Sequence, residues 1–213
     1  MDQLVLWGRS SSVNVQKVLW FLAETGTPFE HRIVGGPYGG MDRPEFTTIS
    51  PLPRVPVLQH GDLAIWESHA VLRYLAELCA SHELSPKNRT HRAQMEPWME
   101  LVSTTLQPPF ISLFWQLVRT PADKQDDRVQ EAARNAMRPA LNAITAQLET
   151  HEWLAGASIS LADITAGSLM YRLTDVAPDL VARPALQRWY GALQERKAYR
   201  NSVMTNYDEL RVS

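Results

Sequence analysis

The stretch of residues 52–68, LPRVPVLQHGDLAIWES, decides the fold of the first part of the chain. An apolar run begins at Val55-Pro56, where the proline removes a backbone donor, and a cis peptide bond is a common solution at such an entry. Gly61-Asp62 predicts the tip of a hairpin, and residues 63–66 predict its returning strand. The stretch therefore predicts two antiparallel strands that are entered through a proline turn.

Two features of this stretch predict a site for a short peptide. A turn that keeps the backbone N–H and C=O of Val55 unpaired allows an extended peptide to pair with them by strand addition. Glu67-Ser68 closes the second strand and begins a helix, where backbone amides beside a hydroxyl form a small-anion site. The sequence thus predicts a backbone clamp for a peptide and a nearby site for its carboxylate.

The composition of the 213 residues excludes several classes of protein. A formal net charge of -2 gives no basic surface for nucleic acid. There is no apolar run of about 18 residues to span a membrane, and the first residues lack a signal-peptide pattern. Cys79 is the single cysteine, which excludes internal disulfides and favours a reducing compartment. We therefore expect a cytoplasmic protein without nucleic-acid or membrane partners. The six histidines show no paired ligand spacing, so no metal site is predicted.

The N-terminal part of the chain alternates between strand and helix patterns. Residues 4–7 form a short apolar run typical of a buried strand, and apolar residues over 15–22 recur at helical spacing. Residues 29–34 predict a second strand, which a right-handed crossover sets parallel to the first. Residues 44–49 predict one or two helical turns before the hairpin. With the hairpin and the helix that follows it, this order predicts an α/β domain of thioredoxin type.

The remainder of the chain predicts helices only. Residues 81–88 are polar and indicate a linker. We expect Pro108-Pro109 to break or bend one of the later helices and Pro139 to kink another. The predicted architecture is a thioredoxin-like domain at residues 1–80, followed by an all-helical domain at residues 88–213.

Residues 159–164, ISLADI, give the clearest local signal in the helical part. Ser160 is placed to cap a helix, and Asp163 stands at the third helical position, which is a capping box with Asp in place of Glu or Gln. Ile159 and Ile164 occupy the positions of a hydrophobic staple. We interpret this motif as a structural helix start rather than as a site.

Five stretches of the chain resemble, in the same order, motifs of the cytosolic glutathione transferases, and the resemblance covers nearly the whole length. They are SSVNVQKV at 11–18, SPLPRVPVL at 50–58, WESHAVLRYL at 66–75, ISLADI at 159–164, and RWY at 188–190 with AY at 198–199. The match is to bacterial, serine-type members. Ser50 stands where the family usually has Asn, and Pro53 where it usually has Gly. We expect the clamp to persist, because Val55-Pro56 is intact.

The resemblance implies that glutathione binds along the sheet domain as a co-substrate, with no tightly bound cofactor. Val55 is expected to pair its backbone with the cysteinyl unit. Glu67 is expected to hold the ammonium of the γ-glutamyl end, and Ser68 its carboxylate. Further candidates for contact with glutathione are Arg54, Tyr38 and Gly39.

The nucleophile in such an enzyme is the thiol of glutathione, whose thiolate a donor at the start of the first helix would favour. A free thiol has a pKa of about 8.5, so only a few per cent is ionised at pH 7. The resemblance implies that Ser12 activates the thiol, while Asn14 is a second donor of a kind that some bacterial relatives use. Ser11 is close enough in sequence that the assignment among the three stays open.

The second substrate is expected to lie between the domains, on the helical side, where an apolar wall would receive a small hydrophobic electrophile. The candidates for this wall are Trp98, Leu106, Phe110, Phe114 and Trp115. The resemblance also implies a homodimer.

The implied function is a cytoplasmic transferase of detoxification that joins glutathione to an electrophile. A glutathione-dependent disulfide reductase or peroxidase, with Asn14 as the main thiol contact, is the competing enzyme. A binding protein that keeps the fold with little turnover is the alternative from another class.

Overall fold

The computed structural model describes residues 3–212, which form two compact units. The first unit holds the chain up to Ser85 together with Lys197–Thr205, and the second holds Pro86–Arg196 and the residues that follow Thr205. Each unit has its own arrangement of elements. The division falls within the polar stretch that the sequence indicates as a linker.

The first unit is built on a four-stranded mixed sheet with the order β2-β1-β3-β4. Its strands are β1 (Leu4–Trp7), β2 (Glu30–Arg32), β3 (Val57–His60) and β4 (Leu63–Trp66). β1 pairs in parallel with β2 and antiparallel with β3, and β3 pairs antiparallel with β4. The predicted thioredoxin-like arrangement and hairpin are confirmed, although β2 is shorter than residues 29–34.

Three helices accompany this sheet: α1 (Val13–Thr25), α2 (Pro44–Thr47) and α3 (Ser68–Leu78). α1 ends at Gly26, whose left-handed backbone (φ 63°) lets its N–H donate to the carbonyl of Leu22. One face of the sheet packs into a core of Val5, Trp7, Val34, Phe46 and Val57. Val55 is partly buried against this core, so the packing of the sheet holds the residue predicted to clamp a peptide.

The second unit is helical. Its helices are α4 (Arg89–Leu101), α5 (Gln107–Phe114), α6 (Asp127–Thr150), α7 (Leu161–Val176), α8 (Pro178–Val181) and α9 (Pro184–Glu195). Two π-helical segments, Val102–Leu106 and Trp115–Arg119, lie before and after α5. Over residues 3–212, no helix combines the length and the apolar character that crossing a bilayer requires.

Pro108, Pro109 and Pro139 do not interrupt the helical backbone of this unit. The backbone stays helical from α4 through the π-helical segment Val102–Leu106 into α5, so the helix is not broken at Pro108-Pro109, and a bend there stays a prediction. The two prolines fall in the first turn of α5. They have no backbone N–H to donate, and the wider π-helical turn before them accommodates this loss. α6 likewise continues through Pro139.

The start of α7 has the predicted capping box. The Asp163 carboxylate accepts hydrogen bonds from the Ser160 N–H and hydroxyl, both at 2.9 Å. It also accepts from the Leu154 N–H and from the Trp189 indole, both at 3.0 Å. Asp163 therefore joins the helix start to the preceding loop and to α9. Burial raises its pKa to about 6, against the opposing effect of these hydrogen bonds.

A last helix, α10 (Lys197–Ser202), packs on the first unit, although the sequence boundaries placed it in the helical domain. The Tyr199 ring meets the Trp20 ring of α1 edge-on, with centroids 4.7 Å apart. Gln16 of α1 donates to the Thr205 hydroxyl at 3.0 Å. The sequence analysis does not predict this short helix or the unit that it packs against.

Candidate functional site

The peptide bond between Val55 and Pro56 is cis, as the sequence predicts. Within residues 3–212, the backbone of Val55 makes no backbone–backbone hydrogen bond. The loop before it is held locally, because the Ser50 hydroxyl and the Arg54 N–H both donate to the Leu52 carbonyl, at 2.7 and 2.8 Å. The Ser50 side chain thus organises this loop where the family usually has Asn.

Gly8 allows the start of α1 to approach this turn. Its φ is 147°, and a Cβ added there would lie 2.5 Å from Cγ2 of Val15 and 3.0 Å from Cβ of Val55. A side chain at this position therefore has no room. Because Gly8 has no Cβ, the first turn of α1 can lie close to Val55, the residue predicted to clamp a peptide.

The start of α3 has an unusual backbone. Glu67 is the N-cap residue and has a φ of 70°, a left-handed conformation that residues other than glycine rarely adopt. Its side chain is exposed, whereas Ser68, the first residue of α3, is buried. The Ser68 hydroxyl donates to Oδ1 of Asn14 at 3.5 Å. The first turns of α1 and α3 therefore meet at these two side chains.

A cavity of about 70 Å³ lies where these segments converge. It is lined by Asn14, Ser50, Leu52, Arg54, Val55, Pro56, Trp66, Glu67 and Ser68. Sites for whole small molecules usually measure about 300–1,000 Å³, so this cavity has room for one end of a peptide. Four predicted binding residues, Val55, Glu67, Ser68 and Arg54, are brought together with one predicted thiol donor, Asn14.

The two serines predicted as thiol donors, Ser12 and Ser11, lie at the start of α1 but outside this cavity. Ser12 is the N-cap of α1, half-buried, and makes no side-chain capping hydrogen bond. Ser11 is buried, and its hydroxyl lies 3.4 Å from the Arg9 guanidinium, which donates to it. Neither serine lines the cavity described above.

A buried pair that the sequence analysis did not single out lies behind Asn14. The Lys17 side chain is only 1% exposed, and its Nζ donates to Oδ1 of Asn14 at 3.0 Å. The same Nζ lies 3.2 Å from Nε2 of His69. Burial lowers the pKa of Lys17 to about 7, partly offset by the charge of Glu67. Burial, with the charges of Lys17 and Arg73, lowers the pKa of His69 to about 3, so this ring is neutral at pH 7.

The predicted glycyl-end contacts lie in the loop after β2. Tyr38 ends the short 3-10 turn Gly36–Tyr38, and its side chain is 53% exposed. Gly39 is exposed and accepts the Gly35 N–H through its carbonyl at 2.7 Å. Neither residue lines the cavity beside Val55.

The candidates for the second-substrate wall differ in exposure within the helical unit. Leu106, Phe110 and Phe114 are 1%, 1% and 5% exposed, so they pack in the interior of that unit. Trp98 is half-buried. Trp115 is 53% exposed, and the Arg119 guanidinium stacks 5.1 Å from its ring centroid. Of the five, Trp115 offers the largest accessible ring. Over residues 3–212, no group of three or more His, Cys, Asp or Glu side chains is arranged to hold a metal ion.

Comparison with known proteins agrees with this fold. The family models of the glutathione S-transferase N-terminal and C-terminal domains match residues 2–77 and 97–197. Glutathione S-transferase GstB of Escherichia coli is 34% identical over 203 residues, which cover 94% of this chain and 98% of that protein. The chain belongs to the glutathione S-transferase family. The predicted family, fold class and enzyme class are thereby confirmed.

Particular relatives come from bacteria and plants. Glutathione S-transferase 3 of Zea mays is 31% identical over 211 residues, with 95% of this chain and 94% of that protein covered. The theta class glutathione S-transferase of Xanthomonas axonopodis pv. citri, solved with glutathione bound, has a TM-score of 0.89 and 36% identity. That comparison covers 97% of this chain and 99% of the other.

Proposed function

We propose that this glutathione S-transferase joins the thiolate of glutathione to a small hydrophobic electrophile. The observation that supports the proposal most strongly is the convergence of the Val55 backbone, the Glu67-Ser68 helix start and Asn14 on one small cavity. The solved relative of Xanthomonas axonopodis pv. citri holds glutathione, and its fold matches this chain over almost its full length.

The tripeptide is held by complementary groups along this cavity. The backbone of Val55 pairs with the cysteinyl unit in the manner of an added strand. The amides at the start of α3 and the Ser68 hydroxyl receive the γ-glutamyl carboxylate, and the exposed Glu67 carboxylate receives the ammonium. Arg54 lies at the same cavity and adds positive charge for the acidic peptide. Tyr38 and Gly39 remain candidates for the glycyl end.

The thiol is activated by a donor at the first turn of α1. Asn14 lines the cavity, and its amide is the donor that we place at the sulfur. Ser12 is the N-cap of the same helix and is a competing donor, with Ser11 behind it. Because a thiolate is a far better nucleophile than a thiol, a donor that lowers the thiol pKa raises the rate at neutral pH.

The proposal also covers the binding wall for the electrophile, the oligomeric state and the cellular location. The apolar wall for the electrophile belongs to the helical unit, with Trp115 as its accessible ring and Trp98 beside the interior residues named above. We expect a homodimer, which sedimentation would show as a species of twice 24.1 kDa. The lone cysteine favours a cytoplasmic location.

A glutathione-dependent disulfide reductase or peroxidase is the second candidate. The position of Asn14 at the cavity is compatible with this reaction as well as with transfer, since in both an amide would be the main thiol contact. Turnover of an aryl halide compared with that of a mixed glutathione disulfide separates the two reactions. A protein that binds glutathione tightly and turns over neither substrate would instead be a binding protein.

The experiment that tests the proposal combines glutathione titration with turnover of an aryl halide in wild type and in Ser68→Ala. A lost hydrogen bond to a charged group costs about 1.5–3 kcal/mol, so the variant should bind glutathione about tenfold more weakly or worse. Ser103→Ala is a control with the same substitution, because that hydroxyl donates only to the carbonyl and the carboxylate of Glu100 in its own helical stretch. Equal affinity in wild type and Ser68→Ala would reject this placement of the carboxylate.

A further inference from the structure

Lys17 is a charged residue in a fully buried position on α1. Its Nζ lies 3.0 Å from Oδ1 of Asn14 on the same helix and 3.2 Å from Nε2 of His69 at the start of α3. Burying a lysine amine is costly unless its donors are satisfied. An apolar side chain of the same length would fill the position without that cost, so the amine has a role that packing does not explain.

The hydrogen-bond chemistry of this group fixes the orientation of the Asn14 amide. The Lys17 amine has N–H donors whether it is charged or neutral, and its hydrogen bond runs to Oδ1, so the amide oxygen, and not the nitrogen, faces Lys17. The Ser68 hydroxyl donates to the same oxygen at 3.5 Å. A second hydrogen bond, between the same amine and Nε2 of the neutral His69 ring, holds the amine in place. With its oxygen held by Lys17, Asn14 keeps its NH₂ group on the side away from Lys17.

We propose that Lys17 is a positioning residue, which turns the Asn14 amide so that its NH₂ group donates to the sulfur of bound glutathione. The inference rests on the proposed function, since it requires glutathione in the cavity that Asn14 lines. Lys17 itself does not line that cavity. It acts by removing the alternative orientation of the amide, in which an oxygen would face the sulfur and oppose the thiolate.

The test measures the thiol pKa of enzyme-bound glutathione from thiolate absorbance as the pH is varied. Lys17→Met keeps an unbranched side chain, one atom shorter, and removes the donor. We expect the thiol pKa to rise by about one unit in this variant, with a tenfold lower thiolate fraction below the pKa. The acid limb of kcat/KM should move to higher pH by the same amount, while KM for glutathione changes little. Lys17→Arg should recover part of the shift.

Gln16→Met is the matched control for a lost buried polar side chain. Gln16 is also fully buried on α1, but its amide donates to Thr205 and not to Asn14. This variant should leave the thiol pKa unchanged. Circular dichroism and thermal unfolding of both variants establish that they fold.

A double-mutant cycle with Asn14→Ala decides whether Lys17 acts through Asn14. If it does, Lys17→Met should have no further effect on the thiol pKa in the Asn14→Ala background. An equal shift in both backgrounds would overturn the proposal, since Lys17 would then act by its charge alone. An unchanged thiol pKa, or a change in KM only, would also overturn it.

Failure of the wild type to bind glutathione would instead reject the proposed function. Should Lys17→Met fail to fold, Asn14→Asp keeps an acceptor for Lys17 without a donor, and an unchanged thiol pKa there would overturn the proposal.

Discussion

Lys17 makes the stability of the first unit depend on pH. The unfolded chain keeps this lysine protonated up to its ordinary pKa of 10.5, whereas burial lowers the pKa of Lys17 in the folded state to about 7. Between these pH values the unfolded state binds more protons, so the free energy of unfolding rises with pH. Below pH 7 both states are protonated and this contribution is constant.

The first prediction compares wild type with Lys17→Met by denaturant unfolding between pH 7 and pH 10. The stability of wild type relative to the variant should rise with pH, by at most about 1.4 kcal/mol per unit, because the variant has no titrating group at this position. The nearby charge of Glu67 and the neutral His69 are present in both proteins. A stability difference that stays constant over this range would contradict the burial of a titrating lysine.

Glycines 26 and 191 give a matched pair at the scale of the helix. A Cβ at either position would meet nothing within 4 Å, so the two differ in backbone conformation and not in space. Gly26 ends α1 with a φ of 63°, whereas Gly191 lies inside α9. Replacement by alanine should therefore change the stability of the protein in opposite directions at the two positions.

The second prediction is that Gly26→Ala destabilises the protein by about 1 kcal/mol, because an alanine is strained in the left-handed conformation. Gly191→Ala should stabilise it by about 0.5–1 kcal/mol, because alanine has the higher helix propensity. Thermal unfolding of both variants measures the pair. If both variants shift the unfolding temperature in the same direction, α1 does not end at a left-handed Gly26.

The third prediction concerns the Asp163 carboxylate at the start of α7. Asp163→Ala leaves buried donors of Leu154, Ser160 and Trp189 without their acceptor. Each such donor costs roughly 1–3 kcal/mol, so the variant should lose about 3 kcal/mol or more of unfolding free energy. The measurement is denaturant unfolding at constant pH.

Asp179→Ala is the control for this prediction. Asp179 pairs with Arg134 at 2.8 Å, but its side chain is 61% exposed. An exposed ion pair contributes about 0–1 kcal/mol, so this loss should be small. Similar losses at Asp163 and Asp179 would be incompatible with a capping box that joins three segments.

At the scale of the whole molecule, the sequence predicts most of the first unit because its signals are local. Apolar runs place β1 and the hairpin, and Val55-Pro56 gives the cis bond before β3. The left-handed backbone of Glu67 has no such signal, since its residue type disfavours that conformation. It is a product of the tertiary structure around the start of α3.

The sequence analysis does not predict the buried contact of Lys17 with His69, for a similar reason. Lys17 lies among the apolar residues of α1, and its flanks Val15 and Val18 were the available signal for burial. Its partner His69 comes from α3, and only the folded chain brings the two together. The packing of α10 on the first unit is also a long-range result, which helical periodicity does not encode.

The central claim is that glutathione lies along the proline turn with its sulfur at the first turn of α1. The most direct measurement is a crystal structure of the protein grown with saturating glutathione. We predict a tripeptide paired with the Val55 backbone, a carboxylate within hydrogen-bond distance of Ser68, and a sulfur beside the Asn14 amide. Glutathione bound elsewhere, or an empty cavity beside Val55 and Ser68 at concentrations that saturate turnover, would contradict the account.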